Sequence, residues 1–464
     1  MKALYRAHFL TVFFSLTKYF WVLLIPVVRA VLALGFDYQN AFRGYEADIL
    51  LLTILLIYAL SRWFTTFISV TEKEITFKRG VVFRKKVLAE PEKITCIKLW
   101  QTPFFVIFRC FILRVYQNPT KRPIIKMYCT RRTAQKIKKL YFEGEDELCR
   151  CGGNPFLHSL IFSSSKGGFL ALSALLSFSG VVTGKTVRRL AQENIAIVSG
   201  FAGDIPTLLT ALGVFFLTVR LISFLLEAFY VSDMKLYEQK EHLLIKRGFL
   251  KKSVYRINTK KENLGYSLST NCIFFKRYYS LYVGITGFGQ GKYDNSLIMP
   301  ITDKVTVKKE TAKLYSDEGY AKKRIFAGKK AIGSYITKWF VMYIVSCLLC
   351  SSFASLGLFG NTFYLALIPP FLFLFLIFVN MNKWRYGYVC IKGENVVIQN
   401  LKGVKICEYI TERKKCRKVQ IVQNVFQKRK EIADLCLYLR GERNKKVRIR
   451  NIEMEKCVEI AEMP

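Results

Sequence analysis

Thirteen cysteines and three histidines are the residues of this 464-residue chain best equipped to hold a metal or form disulfides. Their spacing supports neither use. Apart from Cys149-Arg150-Cys151 and Cys347-Leu-Leu-Cys350 the cysteines stand singly, and no second pair completes a tetrahedral site. Cys347 and Cys350 lie inside an apolar run, and all the cysteines read as reduced thiols of a reducing compartment. His8, His158 and His242 are too scattered for a repeated imidazole site, and His242, beside a strand, is expected to be exposed. No paired carboxylate, Ser-His-Asp or Cys-His arrangement stands out, so the chain reads as a non-enzyme with no catalytic residue, metal or cofactor. The run Gly284-Ile-Thr-Gly287-Phe-Gly289-Gln-Gly291 leads into a strand pattern at 295–299, not a helix, so it reads as a hairpin turn and not as a phosphate cradle.

The chemistry that remains is positive charge. The chain is 52% hydrophobic and 15% aromatic, yet carries 72 Lys+Arg against 33 Asp+Glu, a formal +39. That combination excludes disorder and points to lipid-embedded stretches separated from basic ones. Lys78 and Arg79 with Arg84 and Lys85, and Lys246 and Arg247 with Lys251 and Lys252, surround equivalent hairpins at the start of basic segments. They are candidate contacts for anionic lipid headgroups or a protein partner, each near-surface cation being worth about 1 kcal/mol. The alternative is a solvated positive face without a discrete ligand. No recognition helix or zinc finger accompanies the charge, so nucleic acid is not an expected partner.

The elements that must position these clusters follow from hydropathy. A spanning helix needs about 20 mostly apolar residues, and six stretches qualify: 19–36, 49–70, 167–183, 205–230, 334–356 and 363–381. They form three hairpins, giving membrane segments 1–69, 167–229 and 334–381 and basic segments 70–166, 230–333 and 382–464. The basic segments hold 20, 21 and 20 Lys+Arg against 8, 9 and 10 Asp+Glu, whereas the loops within the hairpins are nearly neutral. An even number of spans precedes each basic segment, so all three, with both termini, are expected in the cytoplasm of a multi-pass protein of the bacterial cell membrane. Arg29, deep in the first span, is an intramembrane charge, and Arg220 and Lys338 lie within or near spans.

The basic segments are one unit repeated. Residue n set against n+168 places Lys78-Arg79-Gly80 on Lys246-Arg247-Gly248, Arg109 on Arg277 and Leu113 on Leu281. In a third copy Gln423-Asn424-Val425-Phe426 falls on Gln101-Thr102-Pro103-Phe104, Gly403 takes the place of Gly80, and Glu431 falls opposite Arg109. Short strands around glycine turns, closed by helical patterns at 131–142, 303–315 and 452–463, predict a small β-sandwich or partly open barrel with the helix over one end. The fold class is therefore an α+β membrane protein, with six transmembrane helices and three such domains.

A pair of spans leading into a β unit, with a glycine after a basic pair and a Gln-x-x-Phe-type stretch before a Leu-x-Val strand, resembles the bacterial pleckstrin-homology-like membrane proteins, in particular the larger YdbT-type members. The resemblance runs along essentially the whole chain. It implies cytoplasmic PH-like domains, a membrane-bound non-enzyme acting as scaffold or sensor, and a smaller two-span membrane protein of the same family as partner beside the acidic leaflet. The alternative function is a transporter or exporter component with the cytoplasmic domains as gates.

Overall fold

The computed structural model describes residues 4–19, 45–149, 155–161, 214–315, 324–355 and 368–462, less short breaks at 73, 82–83, 119–121, 143–146, 160, 216–217, 220, 223, 240, 250–251, 290–295, 329–330 and 441–444. They fall into two compact units, Met1–Arg150 with Asp233–Asn263 and Ile285–Phe288, and Cys151–Ser232 with Leu264–Gly284 and Gly289–Pro464. Segment 230–333 therefore contributes to both.

The first unit opens with strand β1 (Leu4–Arg6) and helices α1 (Leu10–Leu16) and α2 (Tyr45–Phe64). Strands β2 (Phe67–Val70), β3 (Ile75–Arg79) and β4 (Lys85–Ala89) follow and join β1 in an antiparallel sheet, β1-β2-β3-β4. Next come β5 (Ile94–Gln101), the short helix α3 (Pro103–Ile107), β6 (Cys110–Gln117), β7 (Ile125–Thr130), helix α4 (Arg131–Tyr141) and β8 (Glu147–Cys149). Period-two alternation explains the sandwich: Ile75 and Phe77 of β3, Ile97 and Leu99 of β5, and Leu113 and Val115 of β6 all turn inward. Helix α4 closes the core with Ala134, Ile137 and Tyr141, and starts where the Thr130 hydroxyl accepts the Thr133 N–H at 3.4 Å.

The second sheet of this sandwich does not stop at β5. Strands β9 (Lys235–Gln239), β10 (His242–Arg247) and β11 (Lys252–Asn258) continue it, in the order β7-β6-β5-β11-β10-β9-β8. Across the seam Leu99 faces Val254 and Lys98 faces Tyr255. The strands of two successive basic segments thus share one hydrogen-bonded ladder.

The second unit repeats the device. It contains α5 (Pro155–His158), β12 (Leu264–Cys272), β13 (Tyr279–Ile285), β14 (Leu297–Thr302), α6 (Lys304–Leu314) and β15 (Ile325–Phe326). Helices α7 (Ile332–Ser355) and α8 (Ile368–Tyr386) pack on each other and lead into β16 (Tyr388–Lys392), β17 (Asn395–Lys402) and β18 (Lys405–Glu412). The sheet runs β14-β13-β12-β18-β17-β16-β15, with the seam at β12 and β18. The last sheet is β19 (Cys416–Val422), β20 (Ile432–Leu439) and β21 (Lys445–Glu453), with α9 (Val425–Lys428) between its first two strands and α10 (Met454–Glu462) after it. Leu435, Leu437, Val447, Ile398, Tyr409 and Ile460 form its core.

PH-like sandwich sheets with mixed helix and strand content are therefore present. The repeat alignment also holds at the backbone. Gly80, Gly248 and Gly403 all have positive φ, at 132°, 96° and 61°, and so do Arg109 and Glu431, at 51° and 55°. What the latter positions share is a left-handed turn after a short helix, not a side-chain charge.

Of the expected spans, residues 20–36, 167–183, 205–213, 356 and 363–367 lie outside the described residues, as do Arg29 and Arg220. Among the described residues, one helix stretch, Ile332–Ser352, is long and apolar enough to cross a membrane, with mean hydropathy 1.5 and only 11% of it buried. A shorter apolar stretch, Ile49–Phe64, belongs to α2. Apolar side chains such as Leu348 (61% exposed) and Phe371 (67%) stand out from α7 and α8. Exposed apolar surface on that scale marks an interaction with something apolar.

Gly265 of β12 shows how tightly the second unit is built. A Cβ there would lie 2.0 Å from the backbone oxygen of Arg440, an atom that no side-chain rotation can move away. Gly265→Ala is expected to destabilise the second unit by roughly 3 kcal/mol, the upper end of overpacking. A thermal melt of the full chain checks this, and an unchanged midpoint would refute it.

Candidate anion-binding hairpins

Core alternation fixes the register of the β3–β4 hairpin and thereby stacks its cations. With Ile75 and Phe77 held inside, Lys78 falls opposite Lys86 and Arg79 opposite Lys85. Like charges directly opposite on a ladder repel. Lys78, Arg84, Lys85 and Lys86 are exposed, and none of them forms an ion pair among the described residues. Because β2 begins three residues after α2 ends and Phe67 pairs with Lys78, this cationic end of the hairpin lies beside the helix terminus. Arg6 reinforces it from β1, its guanidinium 4.8 Å from the Phe64 ring and 5.2 Å from Trp63.

The equivalent hairpin in the second copy is built differently. Lys246 faces Lys235 across the strands and sits 4.4 Å from the Tyr237 ring. Burial, then Lys246 and Lys252, push the Lys138 amine of α4 below the usual lysine range, so three lysines share one neighbourhood. Lys252 is exposed, while Lys251 lies outside the described residues. Arg247 is 3% exposed and stacked between Tyr255 (4.7 Å) and Phe288 (5.4 Å), so it is a core cation and not part of an exposed face. The third copy again opposes two lysines, Lys402 and Lys405, around Gly403. Its Lys402 amine donates to the Tyr409 hydroxyl at 2.8 Å.

The structure thus brings Lys78, Arg79, Arg84 and Lys85 together on one hairpin, and Lys246 with Lys252 on another. Sequence reading alone did not reach Lys235, Lys138 or Arg6. Lys235 carried a signal, since it stands at the first residue of a strand that follows a helix, but Lys138 joins the group only through tertiary packing.

A cavity lined by Tyr141, His242, Arg256 and Asn258, among others, has a volume of about 10 Å³, the space of a single water molecule. It does correct one expectation: His242 is not exposed but partly buried there. Burial first, then Arg256, push its imidazole down to about 4, while Glu241 acts the other way. A folded value below the free one means that the unfolded chain takes up the proton first. This contribution to stability is complete above about pH 6.5 and is lost as the pH falls toward 4. The melting midpoint is expected to drop across that window, and His242→Gln to flatten the drop. An equal slope in both proteins would refute it.

Among the described residues no group of His, Cys, Asp and Glu could hold a metal. Burial pushes the Cys110 and Cys457 thiols up to about 12 and Cys416 to about 11, which keeps them protonated and unreactive.

Comparison with known families matches residues 12–144 to the bacterial PH domain. That stretch holds α2, the β2–β4 hairpins, β5 to β7 and α4, so the match supports a bacterial PH-like domain in this region. No curated protein and no solved structure matches the chain.

Proposed function

We propose that this protein is a non-catalytic, multi-pass protein of the bacterial cell membrane whose PH-like domains, facing the cytoplasm, bind acidic lipid headgroups. The observation that carries this reading is the opposed pairs Lys78/Lys86 and Arg79/Lys85, set beside the end of an apolar helix. A hairpin that holds like charges face to face gains from an anion, and the leaflet supplies one at the right height. The bacterial PH domain at 12–144 supports a lipid- or protein-binding role in kind. The exposed apolar surfaces of α7 and α8 support membrane embedding.

Native mass spectrometry of the full chain, released from nanodiscs of mixed phosphatidylglycerol and phosphatidylcholine, tests the reading. Retained lipid should be enriched in the anionic species and the enrichment should fall with salt. Retention in the input ratio would overturn headgroup binding. A stoichiometric protein in place of lipid, on purification from native membrane, would move the role of these hairpins to a protein partner.

A further inference from the structure

Phe426, 77% exposed, is the most exposed large apolar side chain among the described residues, and Val425 beside it is 71% exposed. The pair is held in place. Asn424 Oδ1 accepts the Gln427 N–H at 2.8 Å, Gln427 Oε1 accepts the Asn424 N–H at 3.0 Å, and Gln427 Nε2 donates to the buried Asp434 carboxylate at 2.8 Å. A rigid apolar tip in water loses free energy without gaining fold stability, unless something covers it.

Its position says what covers it. Ile432, at the base of the same turn, is buried against Tyr335 at the start of α7 and Trp384 at the end of α8. Gln423 Nε2, on the other side of the turn, donates to the Ile432 carbonyl at 3.0 Å. The tip therefore stands level with the ends of the apolar helix pair, where a spanning hairpin leaves the hydrocarbon. Lys428, Arg429 and Lys430 follow it directly and are all exposed. An apolar point with a basic collar complements an acyl region beneath anionic headgroups.

The other copies carry the same chemistry at the same place. Phe104 and Ile107 are 48% and 76% exposed around α3, and Phe274, 57% exposed, follows β12. The Phe274 ring stacks on Phe378 of α8, with centroids 6.2 Å apart and planes at 18°. In the second copy, then, this turn rests directly on the apolar helix.

We propose that the Val425–Phe426 tip is a wedge that inserts into the anionic leaflet and ties the third PH-like domain to the bilayer surface. The inference rests on the membrane-embedded reading above, which a separate probe position keeps distinguishable. A fluorescent amino acid is incorporated at Phe426, at Lys446 on the far end of β21, or at Leu348 on the surface of α7, each in the full chain in phosphatidylglycerol nanodiscs. Lipids with a nitroxide on the upper acyl chain are the quencher.

Emission at 426 is expected to fall roughly twofold or more, with 446 unchanged, because an interfacial apolar group sits at about 5–10 Å depth. Quenching at 348 without quenching at 426 overturns the wedge and leaves the membrane reading standing. Absence of quenching at both overturns the two together. Phe426→Ser with Val425→Ser, which leaves the capping bonds and core intact, should release the third domain to faster proteolysis in nanodiscs without lowering its melting midpoint. Unaltered proteolysis would also refute the wedge.

Discussion

Replacing Lys78, Arg79, Arg84 and Lys85 together by glutamine is expected to weaken retention of phosphatidylglycerol by close to a thousandfold at low salt, while the fold becomes no less stable. The size follows from about 1 kcal/mol per cation near an anionic surface and about 1.4 kcal/mol per decade of affinity. The direction of the stability change follows from register. Lys78 faces Lys86 and Arg79 faces Lys85, so neutralising Lys78 in the first pair and both members of the second removes repulsion within the hairpin. A merely solvated positive face predicts the opposite combination, with lipid retention hardly moved. Native mass spectrometry reads the first quantity and a thermal melt the second. Retention within threefold of the parent at low salt, or a lowered midpoint with retention intact, would refute the assignment. At about 1 M salt, where the screening length is about 3 Å, parent and variant should converge.

Asp434→Ala should be the most destabilising single change in the last sheet, at roughly 3–5 kcal/mol, because it strands a buried polar network. The Asp434 side chain is 2% exposed and accepts from Gln427 Nε2 at 2.8 Å, the Asn451 backbone N–H at 2.9 Å and Arg448 Nε at 2.7 Å. Gln427 also donates to Asn451 Oδ1 at 2.8 Å, and Asn451 is held at φ 59°, a conformation asparagine accepts more readily than most residues. Removing the carboxylate leaves the buried Asn451 N–H without this acceptor and takes from Gln427 Nε2 one of its two. Arg448→Ala should cost less, about 1–3 kcal/mol, since the Asp434 carboxylate it leaves behind still accepts from Gln427 Nε2 and the Asn451 N–H. Hydrogen exchange over β19 to β21 of the full chain reads both variants. Equal protection in Asp434→Ala and the parent would refute the account. Because Gln427 is shared with the cap of α9, loss of Asp434 should also loosen the Val425–Phe426 tip.

Much of this molecule is written in its sequence, because the signals are local. Charge segregation marks the basic segments, and period-two alternation around Gly80, Gly248 and Gly403 marks the hairpins. A closing pattern at 131–142 marks a helix that the structure places at Arg131–Tyr141. The hairpin cations were legible for the same reason, since Lys78 and Arg79 sit at the end of an alternating strand and must leave the core. Burial of Arg247 was not legible. Its twin Arg79 is only partly covered, and the difference is made by Tyr255 on the neighbouring strand and by Phe288, which is distant along the chain.

The tertiary structure alone decided the seams, where β5 pairs with β11 and β12 with β18. It also decided the strand Leu4–Arg6 at the chain's start, too short for any period to show. Side-chain pattern tells a strand which face is inward, and that much the sequence determined in every copy. Edge pairing is made by backbone N–H and C=O groups that are the same in every residue but proline. Which edge meets which is therefore settled only by the fold that brings them within a ladder's spacing.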